Sequence, residues 1–355
     1  MAVIQRQARG VDLAAADACA APLVHVLRDE RVESIHRGHV AVVDAQGNLL
    51  ASAGEPRALI FPRSAFKPFQ ALPFVESGAY AASGLGSDAL ALIAGSHTGT
   101  DRHAAIAYTI LSAAHADESM LRCGIHAPYD EPTAERLRSA HEEPTPVRHN
   151  CSGKHAGMIL FARFLGAPVD TYADPHHPVQ RQIFDRFASL LGEPWADPEP
   201  AIDGCSAPTP RMPLHTLARS FALLASGRDA DGAPLPALAT IRDAMQQHPE
   251  LVAGPGRLDT LLMNAIPSAV TKVGAEAVHA VGLVDRGVGI AIKVEDGSRR
   301  GLGPAVVSVL EALGLLGQAE RRALAHLGGE ELRNAAGLEV GAIRGVAKLE
   351  GGGLR

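Results

Sequence analysis

The sequence predicts an α+β domain in which strands from both chain ends share one antiparallel sheet around a helical middle. Two observations carry this. Runs of β-rich alternation occupy residues 24–54 and return from residue 269, whereas residues 115–265 show mostly helical spacing. Strands, then helices, then strands is the order of a segregated α+β layout, not of repeated βαβ units.

The elements follow in order. VHVLRD (24–29) reads as a strand, and HVAVVDAQGNLLASAG (39–54) as a hairpin turning at Gln46-Gly47-Asn48. A helix follows Pro62, with Phe66, Phe69, Leu72 and Val75 on one face. Residues 87–114 read as helix, break, helix, the break being Gly95-Ser96-His97-Thr98-Gly99. Helical spacing recurs at 133–141, 152–166, 177–192, 213–227 and 238–248. Strands are expected at 269–274, 277–284 and 287–298, a helix at 302–317 and a closing strand within 337–350. Residues 1–20 read as a weakly ordered arm and 21–355 as one domain, with no internal repeat.

Composition narrows the class. The chain has 355 residues, is 46% hydrophobic and carries 33 basic against 39 acidic side chains, a net charge of −6. Without a basic tract, neither nucleic acid nor an anionic membrane is an expected partner. There is no apolar run of transmembrane length and no apolar core of signal-peptide length near the start, so a cytoplasmic location is expected. Four cysteines, Cys19, Cys123, Cys151 and Cys205, are too few for a disulfide framework in a chain this long.

Four stretches carry candidate chemistry. FPRSAFKPFQ holds Ser64 and Lys67 three residues apart at a helix start. Helical residues at that spacing are neighbours on one face, so hydroxyl and amine can share a pocket. Serine attacks only when a base takes its proton, and lysine serves as a base only when burial or a nearby cation disfavours its charge. The plainer reading is a surface lysine one turn from a capping serine. HNCSGKHAGM places Cys151 and Lys154 at a predicted helix start with His149 and His155 beside them, and IDGCSAPTPRMPL places Asp203 and Cys205 in a Gly/Pro-rich loop before another helix. Two thiolates and a neutral amine could hold zinc; two buried cysteines and a solvated lysine are the alternative. Cys19 and Cys123 have no polar cluster and read as structural. Finally, Lys272 and Gly274 form a K-x-G on a late strand. With S-x-x-K upstream, that is the arrangement of serine penicillin-recognising enzymes, although the S-D-N element is missing.

Together RSAFKPFQ, AGSHTGTDRH, HNCSGKHAGM, DGCSAPTPRMPL and VTKVG resemble, in order and spacing, the Rhizobium etli-type L-asparaginases of the inducible asparaginase II family. The resemblance runs from about Val24 to the C-terminus. It implies a serine β-lactamase-like fold, a homodimer, and hydrolysis of L-asparagine to L-aspartate and ammonia. It implies two Ser-Lys tandems, Ser64 with Lys67 and Ser96 with Lys272. It further implies zinc on Cys151, Lys154 and Cys205, and Arg63, Asp203 and His155 near the bound amino acid. The expected chemistry is attack by Ser64 with neutral Lys67 as base, Lys272 holding Lys67 deprotonated and Ser96 relaying the proton. A glutaminase, peptidase or esterase of the same fold, or a non-catalytic amino-acid-binding protein, are the alternatives.

Overall fold

The computed structural model describes residues 19–192, 199–351 and 354; the expected N-terminal arm lies outside them except for its last two residues. The chain opens with β1 (Ala21–Arg28), β2 (Arg31–Asp44), β3 (Leu49–Ala53) and the short β4 (Leu59–Ile60). A 3-10 turn at Arg63–Phe66 runs into α1 (Lys67–Glu76), then α2 (Ala79–Ser83), α3 (Ser87–Ile93) and α4 (Asp101–Ala113). The helical middle continues with α5 (Glu131–Ala140), α6 (Ser152–Phe164) and α7 (Pro178–Leu191). Three two-residue strands follow, β5 (Ala201–Ile202), β6 (Pro208–Thr209) and β7 (Met212–Pro213). Next come α8 (Leu214–Ser226), α9 (Pro236–Gln247), α10 (Pro249–Val252) and α11 (Leu258–Ala265). The C-terminal third holds β8 (Ala269–Gly274), β9 (Val278–Leu283), β10 (Val288–Val294) and α12 (Arg299–Ala312). It closes with α13 (Gln318–Ala323), α14 (Ala325–Gly328), β11 (Gly329–Arg333), β12 (Glu339–Gly345) and β13 (Glu350–Gly351).

The main sheet is antiparallel, in the order β11-β12-β1-β2-β10-β9-β8, with β3 and β13 continuing from β2. N-terminal strands thus sit between C-terminal ones. The 14-residue β2 makes this possible. One of its edges serves β1 over its first half and β3 over its second, while the other edge pairs with β10, Val42 opposite Ile290.

Both faces of the sheet are covered. Ala41 and Val43 join the core shared with α8 and the helical middle, whereas Val40 and Val42 join the core under α12. All four are fully buried, and each valine so buried contributes roughly 1.5–3 kcal/mol. Burial on both faces explains why VGIAIKV in β10 is apolar at nearly every position. Helix α8 lies close on β10: a Cβ at Gly289 would collide with the Ala218 carbonyl. No described helix is long and apolar enough to cross a membrane. β8 ends the sheet, and its outer edge faces the 3-10 turn and α11.

Candidate active site

Ser64 lies within the 3-10 turn, and Lys67 is the first residue of α1. Arg63, just before Ser64, has φ 52°. A side chain in the left-handed region costs on the order of 1–2 kcal/mol, so the surroundings must hold this turn in place. An ion pair from Arg63 Nε to Asp203 Oδ1 does so from across the cleft.

Lys67 is fully buried, and its Nζ lies 2.5 Å from Gly95 O, 2.8 Å from Ser96 Oγ and 3.3 Å from Asn150 O. Burial holds its pKa below the ordinary value, with the Lys154 charge adding to that and Cys151 opposing it. The two carbonyls can only accept. In a neutral amine they therefore take the two N–H groups, and the lone pair is left facing the Ser96 hydroxyl, the one partner able to donate. The expected contact between Lys67 and Ser64 is not formed among the described residues; the lysine stem reaches past it to the loop between α3 and α4. That loop is fixed by Ser96 N donating to Val252 O (2.6 Å) and by His97 Nε2, 2.9 Å from Ser152 Oγ.

Lys272, expected beside Ser96, lies against Asp259 and within reach of the Lys67 charge. Its Nζ is 3.7 Å from Asp259 Oδ2 and donates to Val273 O at 2.8 Å, with both charged side chains fully buried. Burial lowers the Lys272 pKa to about 8, Asp259 opposing and the Lys67 charge assisting. Burial alone would raise the Asp259 pKa; Lys272, His279 and the Val273 N–H outweigh it and hold it at about 2. Asp259, in the first turn of α11, is fully buried against the edge strand β8, which brings the two charges together.

Cys151, Lys154 and Cys205 do come together, all buried. Lys154 Nζ lies 2.8 Å from Cys205 Sγ, and Asp203 Oδ2 is 3.4 Å from the same sulfur. The two thiols share a proton: a hydrogen bond from Cys151 drives Cys205 strongly toward thiolate, while Cys151 itself is pushed up. Burial would lower the Lys154 pKa, but the Cys205 and Cys151 charges raise it. His155 Nδ1 is 2.7 Å from Tyr172 OH, which also accepts from Arg122 N. The phenol proton is therefore free to go to Nδ1, and the His155 Nε2, which meets no partner within ordinary hydrogen-bond geometry, is turned to the Cys205 sulfur. Among the described residues, no three His, Cys, Asp or Glu side chains gather as a metal site. Cys123 is buried as expected, whereas Cys19 is exposed.

These groups border one cavity of about 650 Å³. Ser64, Ser96, Cys151, Asp203 and Cys205 line it, and the buried Lys67, Lys154 and Lys272 lie behind the wall. Asp259, Asn150, Arg257 and Arg299 also line it and were not singled out in the sequence. Asn150 had a signal, since it lies inside HNCSGKHAGM. Asp259 had none, because an acid in the first turn of an apolar helix is ordinary.

A buried lysine set against a serine, beside two coupled cysteines, is an arrangement for nucleophilic chemistry on a small substrate. The chain belongs to the L-asparaginase II family, whose family model matches residues 24–345. Comparison with curated proteins gives no match. Among solved structures, the chain is similar to Mglu in its native form, at 15% identity and TM-score 0.43, covering 79% of this chain and 66% of that one, just under two thirds of its length. It is also similar to a Bacillus subtilis glutaminase in covalent complex with 5-oxo-L-norleucine, at 12% identity and TM-score 0.35, covering 88% and 92% of the two chains.

Proposed function

We propose that this chain is an L-asparagine amidohydrolase of the Rhizobium etli type, built on a serine β-lactamase-like fold and releasing L-aspartate and ammonia. The observation that carries the reading is the Lys67–Ser96 contact of 2.8 Å at the base of the cavity that Ser64 lines. Ser64 attacks the side-chain amide carbon, and its proton passes through the Ser96 hydroxyl to the Lys67 lone pair. Backbone N–H groups at the 3-10 turn hold the oxyanion, where one such donor is worth about 3–4 kcal/mol. Lys67 returns the proton to the leaving nitrogen and ammonia departs. Water then attacks the β-aspartyl ester by the reverse relay and frees Ser64. Arg63 and Asp203 offer opposite charges to the α-carboxylate and α-ammonium. A second reading has Ser96 as nucleophile, favoured by its direct contact with Lys67.

The donor set of Cys151, Lys154 and Cys205 fits zinc. A thiolate, a second thiol sharing its proton and the Lys154 ammonium already meet there, the ammonium supplying the positive charge that a metal would bring once Lys154 gives up its proton. When bound, zinc would supply a fixed positive charge that orients the substrate. We expect about one zinc per chain by elemental analysis, lost in the Cys151→Ser, Cys205→Ser double variant. Binding should weaken in acid, because Cys151 and Lys154 must both give up protons. Full zinc content in the double variant would remove these ligands.

The substrate is tested by ammonia release. L-asparagine should be turned over well ahead of L-glutamine, and a chromogenic β-lactam should not be opened. Glutamine preferred over asparagine would overturn the substrate, and β-lactam turnover alone would overturn the class.

A further inference from the structure

Asp259 is a buried charged group that this mechanism leaves without a role. It sits in the first turn of α11 with no exposed surface, and its carboxylate is saturated. Oδ1 accepts from Thr271 Oγ1 at 3.1 Å and from His279 Nε2 at 3.0 Å. Oδ2 accepts from Val273 N at 2.9 Å and lies 3.7 Å from Lys272 Nζ. Three successive residues of β8 and one of β9 thus converge on a group with about four acceptor sites. An amide in its place would have to leave at least one of them unmet.

This arrangement does two things. β8 is an edge strand, and an edge presents backbone N–H groups with no strand to receive them. Asp259 receives that of Val273, the residue from which the chain runs on to line the cavity as far as Ala277. It also faces a fully buried cation. The charged groups turned to Lys272 are Asp259 on α11, Lys67 on α1 and Cys151 ahead of α6, and Asp259 is the carboxylate among them. A buried charge persists only when paired, so Lys272 depends on Asp259 for its proton.

We propose that Asp259 is a positioning residue of the active site, fixing the cavity-lining end of β8 and keeping the Lys272 ammonium in place behind the wall. The proposal rests on the serine–lysine reading. It is tested with Asp259→Asn, Asp259→Glu, Lys272→Met and the Asp259→Asn, Lys272→Met double variant, each first checked for folding by circular dichroism. With the Lys272 ammonium no longer there to hold Lys67 neutral as the base, Asp259→Asn should lower kcat by about 100-fold near neutral pH, the scale of losing a functioning general base, with a smaller change in KM. The loss should shrink as pH falls and Lys272 regains its proton. Asp259→Glu keeps the charge and should recover part of the rate, and the double variant should be no slower than Lys272→Met. Independently of any substrate, the Lys272 side-chain NMR signal should titrate at lower pH in Asp259→Asn. An unchanged kcat, or a loss equal at every pH and fully additive with Lys272→Met, would overturn the proposal. If the wild-type enzyme releases no ammonia, the serine–lysine reading falls, and the NMR titration still decides whether Asp259 holds the Lys272 charge.

Discussion

Lys272 and Lys67 are both fully buried, yet they are set up for opposite tasks. Lys67 meets neutral carbonyls and a hydroxyl, so burial favours its amine form. Lys272 meets a carboxylate, so part of the burial effect is cancelled and its pKa is held at about 8. Because the Lys272 cation holds Lys67 neutral by repulsion, kcat/KM should fall as pH rises through about 8 and deprotonation removes the cation. Lys272→Met should abolish that alkaline limb and lower the neutral rate by roughly 100-fold; a pH–rate profile checks both, and an unmoved limb would place Lys272 outside the chemistry. The S-x-x-K spacing marked Ser64 and Lys67 but not their partners. Spacing along a helix describes one face of one element, whereas the Lys67 contacts come from the α3–α4 loop and the residue before Cys151. Cys151, Lys154 and Cys205 were legible because each stands in an unusual Gly-rich, polar stretch, the first two at the start of α6 and Cys205 in the loop between β5 and β6. Asp259 was hidden because its partners lie on strands whose register the sequence does not state.

At the scale of elements, the site depends on how closely β8 approaches the 3-10 turn that carries Ser64. Gly274 sets that distance, because a Cβ there would collide with the Pro62 carbonyl, a backbone atom with little freedom to move aside. Gly274→Ala should therefore destabilise the protein by about 1–3 kcal/mol, the usual cost of overpacking. It should lower kcat beyond what the stability loss explains, because Ser64 moves with the turn. Thermal unfolding and single-turnover rates measured together would show this; a variant with normal Tm and rate would mean that the approach is not tight. Most of the elements around this junction were readable from periodicity, with ends shifted by a few residues. Strand β11 and the short helices α13 and α14 were missed, because QAERRALAHLGGEELR is largely exposed and carries little apolar pattern.

Across the whole molecule, the sheet joins the two ends of the chain and the helical middle closes over one end of it. The cavity lies where the two meet, between the edge strand and the starts of α1 and α6. The segregated pattern of strands and helices made this layout legible, because a middle segment this apolar has to pack on the sheet that flanks it. The cavity itself was not legible. Its outer wall comes from the starts of α11 and α12, which carry no motif and reach it only through the fold. The central claim is that these distant pieces assemble around one attacking hydroxyl, that of Ser64. The most direct measurement is ammonia release from L-asparagine by the wild-type and Ser64→Ala proteins, with far-UV circular dichroism confirming the fold of each. The account predicts turnover by the wild type and none above background in a folded Ser64→Ala. A folded Ser64→Ala protein that releases ammonia at close to the wild-type rate would contradict it.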